Sequence, residues 1–298
     1  MKSHFKAFSL IELSIVILII GILVAGVTTS SRLVNQMRLT SARSLTLSSP
    51  ISTISDLSLW YETTSPKSFD SETPSNGEYI AKWYDLNPQR LEKLDLSQTG
   101  ADSLKPIYEA NAINGLPALR FNGGQFLERV NTLGSDFART DQISVFFVQN
   151  HRANISASST LSWVLSSGGV ELWRLNIHAG TSDNLISFDF GPCCPNTARS
   201  SFNAPTGFFE KTNILSFIKN NTTTTSRINN VVIGVNSGTS SSLNTSATSS
   251  FTIGRLTIYP WYSLNGLFSE LIIFSRALKD DERLDVERYL AKKWGVKI

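Results

Sequence analysis

Apolar and polar positions divide the chain into three unlike stretches. From Phe8 to Val27 the residues are apolar almost without a break (FSLIELSIVILIIGILVAGV), and Glu12 is the single charge. About 20 such residues, rising 1.5 Å each in a helix, reach across a hydrocarbon layer of roughly 30 Å. Beyond them the pattern turns amphipathic. Val27, Leu33, Val34, Met37 and Leu45 keep one side apolar, and Arg32, Arg38 and Arg43 lie elsewhere on the surface. No proline occurs before Pro50, so a single helix over 8–47, about 60 Å long, is predicted.

The period changes after SerSerPro at 48–50. Short strand-like runs recur at Leu57–Tyr61, Ala118–Phe121, Ile143–Gln149, Leu161–Leu165, Glu171–Ile177, Leu185–Phe190, Ile214–Ile218, Val231–Val235, Phe251–Ile253 and Leu267–Phe274. Asn114-Gly115, Gly123-Gly124, Gly168-Gly169, Gly207, Gly238 and Asn265-Gly266 separate them as turns. Many short strands at this spacing predict a sandwich or barrel, not alternating βαβ units. The polar, low-complexity segments Asn220–Ser226 and Ser237–Ser250 read as flexible loops. Leu278–Trp294 returns to helical spacing, with Asp280, Asp281 and Glu282 in its first turn and Lys292 and Lys293 near its end, where the helix dipole favours each. The fold class expected is an all-β head with an α N-terminal extension and a C-terminal helix. Its divisions are a short basic segment over 1–7, an apolar, membrane-length helix with its extension over 8–47 and a head over 48–298, with 51–298 expected to fold alone.

Composition narrows the chemistry. Lys+Arg 27 against Asp+Glu 24 leaves +3, and charged residues make up 17%, which gives no footprint for a nucleic-acid partner. Two cysteines and three histidines exclude a disulfide framework and a four-cysteine zinc site. A glycanase needs two carboxylates facing across a cleft. Glu92 and Asp95 have the wrong spacing for one strand face, and Glu270, isolated among apolar neighbours, reads as a buried structural carboxylate. No enzyme activity and no cofactor or metal are expected. Calcium has an opening only at the loop oxygens of Asp183, Asn184 and Asp189. Of Trp60, Trp83, Trp163, Trp173, Trp261 and Trp294, most are expected in the core. Tyr259-Pro-Trp-Tyr262 is the dense aromatic loop, and Tyr259, Trp261 and Tyr262 are the candidate ligand contacts.

Glu12 decides between readings of the N-terminus. A cleaved secretory signal carries a shorter apolar run. An ordinary anchor explains the length but not an acid that costs about 2.5–3.5 kcal/mol in the apolar zone. The basic leader MKSHFKA followed by FSLIEL and a long apolar helix resembles the N-terminus of type IV pilins and pseudopilins. That resemblance implies cleavage by a prepilin peptidase between Ala7 and Phe8, N-methylation of Phe8, and a role for Glu12 in filament assembly. It implies other pilin subunits as partners, and single-pass insertion in a bacterial inner membrane before transfer to an extracellular or periplasmic filament. The family has glycine where this chain has Ala7.

WYDLN at 83–87, INGLPALRFNGGQFL at 113–127, IGR at 253–255 and LNGLFSELIIFSRALKDDERLDVERYLAKKWGV at 264–296 resemble the laminin-G-like, or concanavalin A-like, jelly-roll domains of bacterial surface proteins. Together the two resemblances imply a minor pilin or pseudopilin with a lectin-like head for adhesion, its ligand a glycan or a protein. The alternatives are a membrane-tethered glycan-processing enzyme and a type II secretion pseudopilin contacting cargo. Cys193 and Cys194, adjacent and flanked by Pro192 and Pro195, form a strained vicinal disulfide or stay as two unlinked thiols, with an intermolecular bond between heads as the third case.

Overall fold

The computed structural model describes residues 10–152, 159–167, 170–179, 184–192 and 198–298, without the side chains of 25–32, 166–173 and 179. Helix α1 (Leu10–Leu47) is continuous over 38 residues, about 57 Å at 1.5 Å per residue. Its hydroxyl side chains do not interrupt it. Ser14, Thr40, Thr46 and Ser48 donate back to the carbonyls of Ile11, Gln36, Ala42 and Ser44 at 2.8, 2.9, 3.1 and 2.9 Å, which satisfies them within the helix. From Leu10 to Val24 every side chain is exposed. A helix apolar on all sides needs an apolar surrounding. Among the described residues no helix is long and apolar enough to cross a membrane; the expected span Phe8–Val27 lies partly outside them.

The rest of the chain folds as β1 (Leu57–Glu62), β2 (Lys82–Trp83), β3 (Leu96–Ser97), β4 (Ile107–Ile113), β5 (Leu116–Asn122), β6 (Leu127–Leu133), β7 (Gln142–His151), β8 (Leu161–Ser167), β9 (Val170–Ala179), β10 (Leu185–Gly191), β11 (Arg199–Asn203), β12 (Thr212–Asn220), β13 (Thr223–Ile228), β14 (Val231–Asn236), β15 (Thr248–Ile253), β16 (Asn265–Phe274) and α2 (Asp280–Trp294). The described strands form two antiparallel sheets. The first runs β14-β13-β12-β7-β16-β5-β4, with β1 taking over the edge of β16 past the end of β5. The second runs β11-β10-β9-β8-β15-β6-β3-β2. This is the expected jelly-roll-like sandwich with its terminal helix.

The main core lies between the sheets, where Phe121, Phe147, Phe217 and Leu271 meet Trp83, Trp163, Leu175, Phe188 and Phe251. A second core covers the outer face of the first sheet. There Trp60, Phe146 and Ile272 pack against Leu290 and Trp294 of α2, Ile51, and Ala42 of α1. Strands β1, β7 and β16 are therefore buried on both faces, and their sequences run apolar without alternation for that reason.

Two expectations change. Thr223–Ser226, read within the loop Asn220–Ser226, belongs to strand β13, paired on both sides by β12 and β14. Alternate residues are buried along it, so its Thr-Ser run supplies β-branched and small side chains to a half-buried surface. The segment after Ser237 is also pinned: Leu243 is 2% exposed, its amide donates to Thr140 O at 2.8 Å, and Lys219 donates to Thr239 O. Nor does α1 stop at the border of the head. Ala42 and Thr46 are buried, and Arg43 donates to Thr64 O at 2.8 Å, Glu72 O at 3.1 Å and Thr73 Oγ1 at 3.2 Å. Arg38 reaches Asn114 O at 3.4 Å in the β4–β5 turn, where Asn114 and Gly115 have φ of 50° and 76°, the two positive values that a tight I′ hairpin requires.

Candidate functional site

The β15–β16 connection carries the aromatic loop. Leu256 N donates to Tyr262 O at 2.8 Å and Tyr262 N to Tyr259 O at 2.9 Å, so the backbone closes on itself and gathers three rings. Ring centroids lie 5.3 Å apart for Tyr259–Trp261, 6.3 Å for Tyr259–Tyr262 and 6.4 Å for Trp261–Tyr262. Trp261 is 67% exposed. Trp60, Trp83, Trp163 and Trp294 are all buried, as expected of core tryptophans. The Trp173 side chain lies outside the described residues.

Beneath the loop, Tyr262 meets His178 edge-to-face at 6.1 Å. His178 belongs to a polar patch on the outer face of the second sheet that sequence reasoning missed. On β9, Leu175 and Ile177 point into the core while Arg174, Asn176 and His178 take the other face. Register sets Asn176 beside Ser162 on one side and Asp189 on the other, and Asp189 beside Arg199. Asp189 is 1% exposed and pairs with Arg174 Nη2 at 2.7 Å, Arg199 Nε at 2.6 Å and His178 Nε2 at 3.5 Å. Burial pushes its carboxyl up, but the His178 and Arg199 hydrogen bonds and the Arg174 charge outweigh that and hold it well below the usual carboxylate range. Ser159 donates to Asn176 Oδ1 at 2.7 Å, and the hydroxyls of Ser162 and Thr252 both meet Thr257 at 3.0 and 3.1 Å. The alternation Arg-x-Asn-x-His was the available signal. The aromatic loop thus rests on a buried, hydrogen-bonded and ion-paired polar support, which holds the rings from below.

The other candidates separate. Asp189 is committed to ion pairs and so is no loop ligand for calcium. Asn184 Nδ2 caps Ala204 O at 3.3 Å, and Asp183 lies outside the described residues. Among the described residues no cluster is suited to a metal ion. Glu92 pairs with Arg129 at 3.1 Å and Asp95 with Lys82 at 3.4 Å. Glu270 is fully buried, as read from its neighbours, and it directly faces Glu62. These two carboxylates share Lys293 at 2.9 Å each, in the second core and not in an open cleft. A groove of about 360 Å³ between α1 and the β4–β5 hairpin is lined by Asn35, Leu39, Tyr108, Asn111 and Pro117, among others, and holds no carboxylate. Glu12 lies on the exposed apolar part of α1. Ala7, Phe8, Cys193 and Cys194 fall outside the described residues.

Residues 2–28 match the prokaryotic N-terminal methylation motif. No curated protein sequence matches the chain. Among solved structures the chain is similar to domain 4 of AbnA, a GH43 extracellular arabinanase from Geobacillus stearothermophilus, in complex with arabinotriose. Identity there is 16%, coverage 78% of this chain and 98% of that one, and the TM-score 0.51. It is similar as well to a GH54 α-L-arabinofuranosidase, at 12% identity over 72% of this chain and 51% of that one, with a TM-score of 0.52. The botulinum neurotoxin serotype D binding domain gives 13% identity, 80% and 52% coverage and a TM-score of 0.51. The chain thus spans about half of the last two. At these identities the likeness shows the fold alone, a jelly-roll-like β-sandwich, which in this chain follows the N-terminal methylation motif and helix.

Proposed function

We propose that the chain is a minor, non-enzymatic subunit of a type IV pilus-like filament, whose head binds a glycan through Tyr259, Trp261 and Tyr262. The observation that carries the filament reading is the methylation motif at residues 2–28, continuous with a helix whose far end is docked into the head. A prepilin peptidase cuts between Ala7 and Phe8, and Phe8 receives the methyl group. Glu12, one helical turn on, then pairs with the terminal ammonium of a neighbouring subunit. An unpaired carboxylate in an apolar filament core is expensive, so that pairing sets the axial register. The chain starts in the inner membrane and ends in the filament. A head of this size suits a minor or tip position, where its bulk need not repeat along a shaft.

The exposed Trp261 supports the binding half, since a ring face covers the apolar face of a pyranose. The arabinanase domain is in complex with arabinotriose, so this fold supports oligosaccharide binding in at least that protein. Cys193 and Cys194 join in a vicinal ring in this reading, and intact mass before and after reduction reads it out. The main test is mass analysis of the chain from membranes and from sheared filaments. The expected species starts at a methylated Phe8 and is present in both. A chain starting at Met1 in cells with active prepilin peptidase would overturn the filament reading, and Ala7→Gly should be cut at least as well.

A further inference from the structure

Thr46, Glu62, Glu270, Tyr289 and Lys293 meet under α2, and the filament reading uses none of them. Glu62 and Glu270 are direct partners across the β1–β16 pair, and the side chains of both glutamates and of Lys293 are fully buried. Lys293 Nζ lies 2.9 Å from Glu62 Oε2 and 2.9 Å from Glu270 Oε2, with Thr46 Oγ1 at 2.8 Å and the Tyr289 hydroxyl at 3.1 Å.

The two carboxyl groups are held differently. Glu270 accepts at Oε1 from Trp60 Nε1 at 2.9 Å and the Tyr289 hydroxyl at 2.8 Å, and at Oε2 from Trp294 Nε1 at 2.7 Å. Both of its oxygens are occupied. Glu62 Oε2 accepts from the Thr64 amide at 2.5 Å and the Thr64 hydroxyl at 2.6 Å. Glu62 Oε1 is buried and has no hydrogen-bond partner among the described residues. A buried oxygen left so is costly. Fully ionised, Glu62, Glu270 and Lys293 would carry one net negative charge between them, which one added proton cancels.

We propose that Lys293 Nζ and Glu62 Cδ join in an amide bond, formed within the folded head from these side chains alone. The step starts from the trio with one added proton, on Glu62 Oε1, with Lys293 as the ammonium and Glu270 as the carboxylate. The ammonium passes one proton to Glu270, and the freed amine attacks Glu62 Cδ. Negative charge then develops on Oε2, where the Thr64 amide and hydroxyl are already aimed. Glu270 returns its proton to Oε1, which leaves as water, and takes the next proton from the nitrogen. One C–N bond forms, one C–O bond breaks, one water is released, and nothing is oxidised or reduced. The leaving oxygen is the unpartnered one. The amide oxygen keeps both Thr64 donors, the amide N–H keeps Glu270 or Thr46 as acceptor, and burial keeps out the water that would reverse the step.

The link would close residues 62–293 into one covalent loop, restricting the unfolded chain as a disulfide does. It would also tie the first strand after α1 to the C-terminal helix, so that tension arriving along α1 crosses a covalent bond. The test is denaturing mass analysis of the full chain purified in detergent, followed by digestion and fragmentation. The expected result is a chain one water lighter than its processed sequence, with a branched peptide joining Glu62 to Lys293. Lys293→Arg should restore the full mass, and Glu270→Gln should leave most chains unlinked. Wild-type chain of full mass, with Lys293 recovered as a free amine, would overturn the proposal, as would a branch to Glu270. Should Lys293→Arg fail to accumulate, the wild-type digest decides alone.

Discussion

Trp261 and Asp189 occupy opposite ends of one site, the first turned to solvent and the second sealed beneath it. Trp261→Ala removes a ring that supports nothing in the core, so the change in stability should stay within about 0.5 kcal/mol. The same variant should weaken binding on a glycan array about tenfold, equivalent to about 1.4 kcal/mol. Unchanged binding would move the ligand contact elsewhere. For Asp189 the folded-state pKa is depressed. Its contribution is therefore present above the unfolded value, at neutral pH, and is lost only as pH falls through the folded one. Asp189→Asn leaves Arg174 and Arg199 without their carboxylate, and urea unfolding at pH 7 should show a loss of about 3–5 kcal/mol. That loss should shrink toward strongly acid pH, where the wild-type carboxyl is protonated too.

At the scale of elements, α1 has two halves with different work. The half up to Val24 offers apolar side chains in every direction, and the last turns are built into the head through Ala42, Arg43 and Thr46. A head starting at residue 34 should therefore be more stable than one starting at 48. The difference should be about 3 kcal/mol or more, from the three Arg43 hydrogen bonds and the Thr46–Lys293 contact. Chemical denaturation of the two fragments measures it, and equal midpoints would show that the docked turns add nothing. Helix α2 is fixed at both ends. Glu282 accepts from the Lys279 amide at 3.0 Å at its start, and Gly295, at φ 68°, ends it in the left-handed region that favours glycine.

At the scale of the whole molecule, the filament reading turns on the separation of a hydrophobic stem from a binding head. Glu12→Val should leave membrane insertion intact or easier, because the acid's transfer cost disappears. It should nonetheless reduce incorporation into sheared filaments, because the partner of the neighbouring terminal amine is gone. Membrane and filament fractions probed side by side read both effects. Wild-type levels of the valine variant in filaments would sink the proposed role of Glu12.

Periodicity alone determined the long helix, the β-rich head, the terminal helix and the burial of most tryptophans, because each follows from a local pattern of side chains against solvent. The methylation motif and the Asn114-Gly115 turn were legible for the same reason, as short segments with fixed chemistry. Strands β4, β6, β11 and β13 were not, since their mixed polar residues show no apolar run of their own; β13 reads as a polar run until β12 and β14, its neighbours in the chain, pair with it on both sides. Glu270 could be called structural from its apolar neighbours. Its partnership with Glu62 and Lys293 could not, because β1, β16 and α2 are brought together only by the sheet. The polar patch around Asp189 is likewise a product of register: β9 contributes Arg174, Asn176 and His178, β10 Asp189 and β11 Arg199, and strand pairing alone places them side by side.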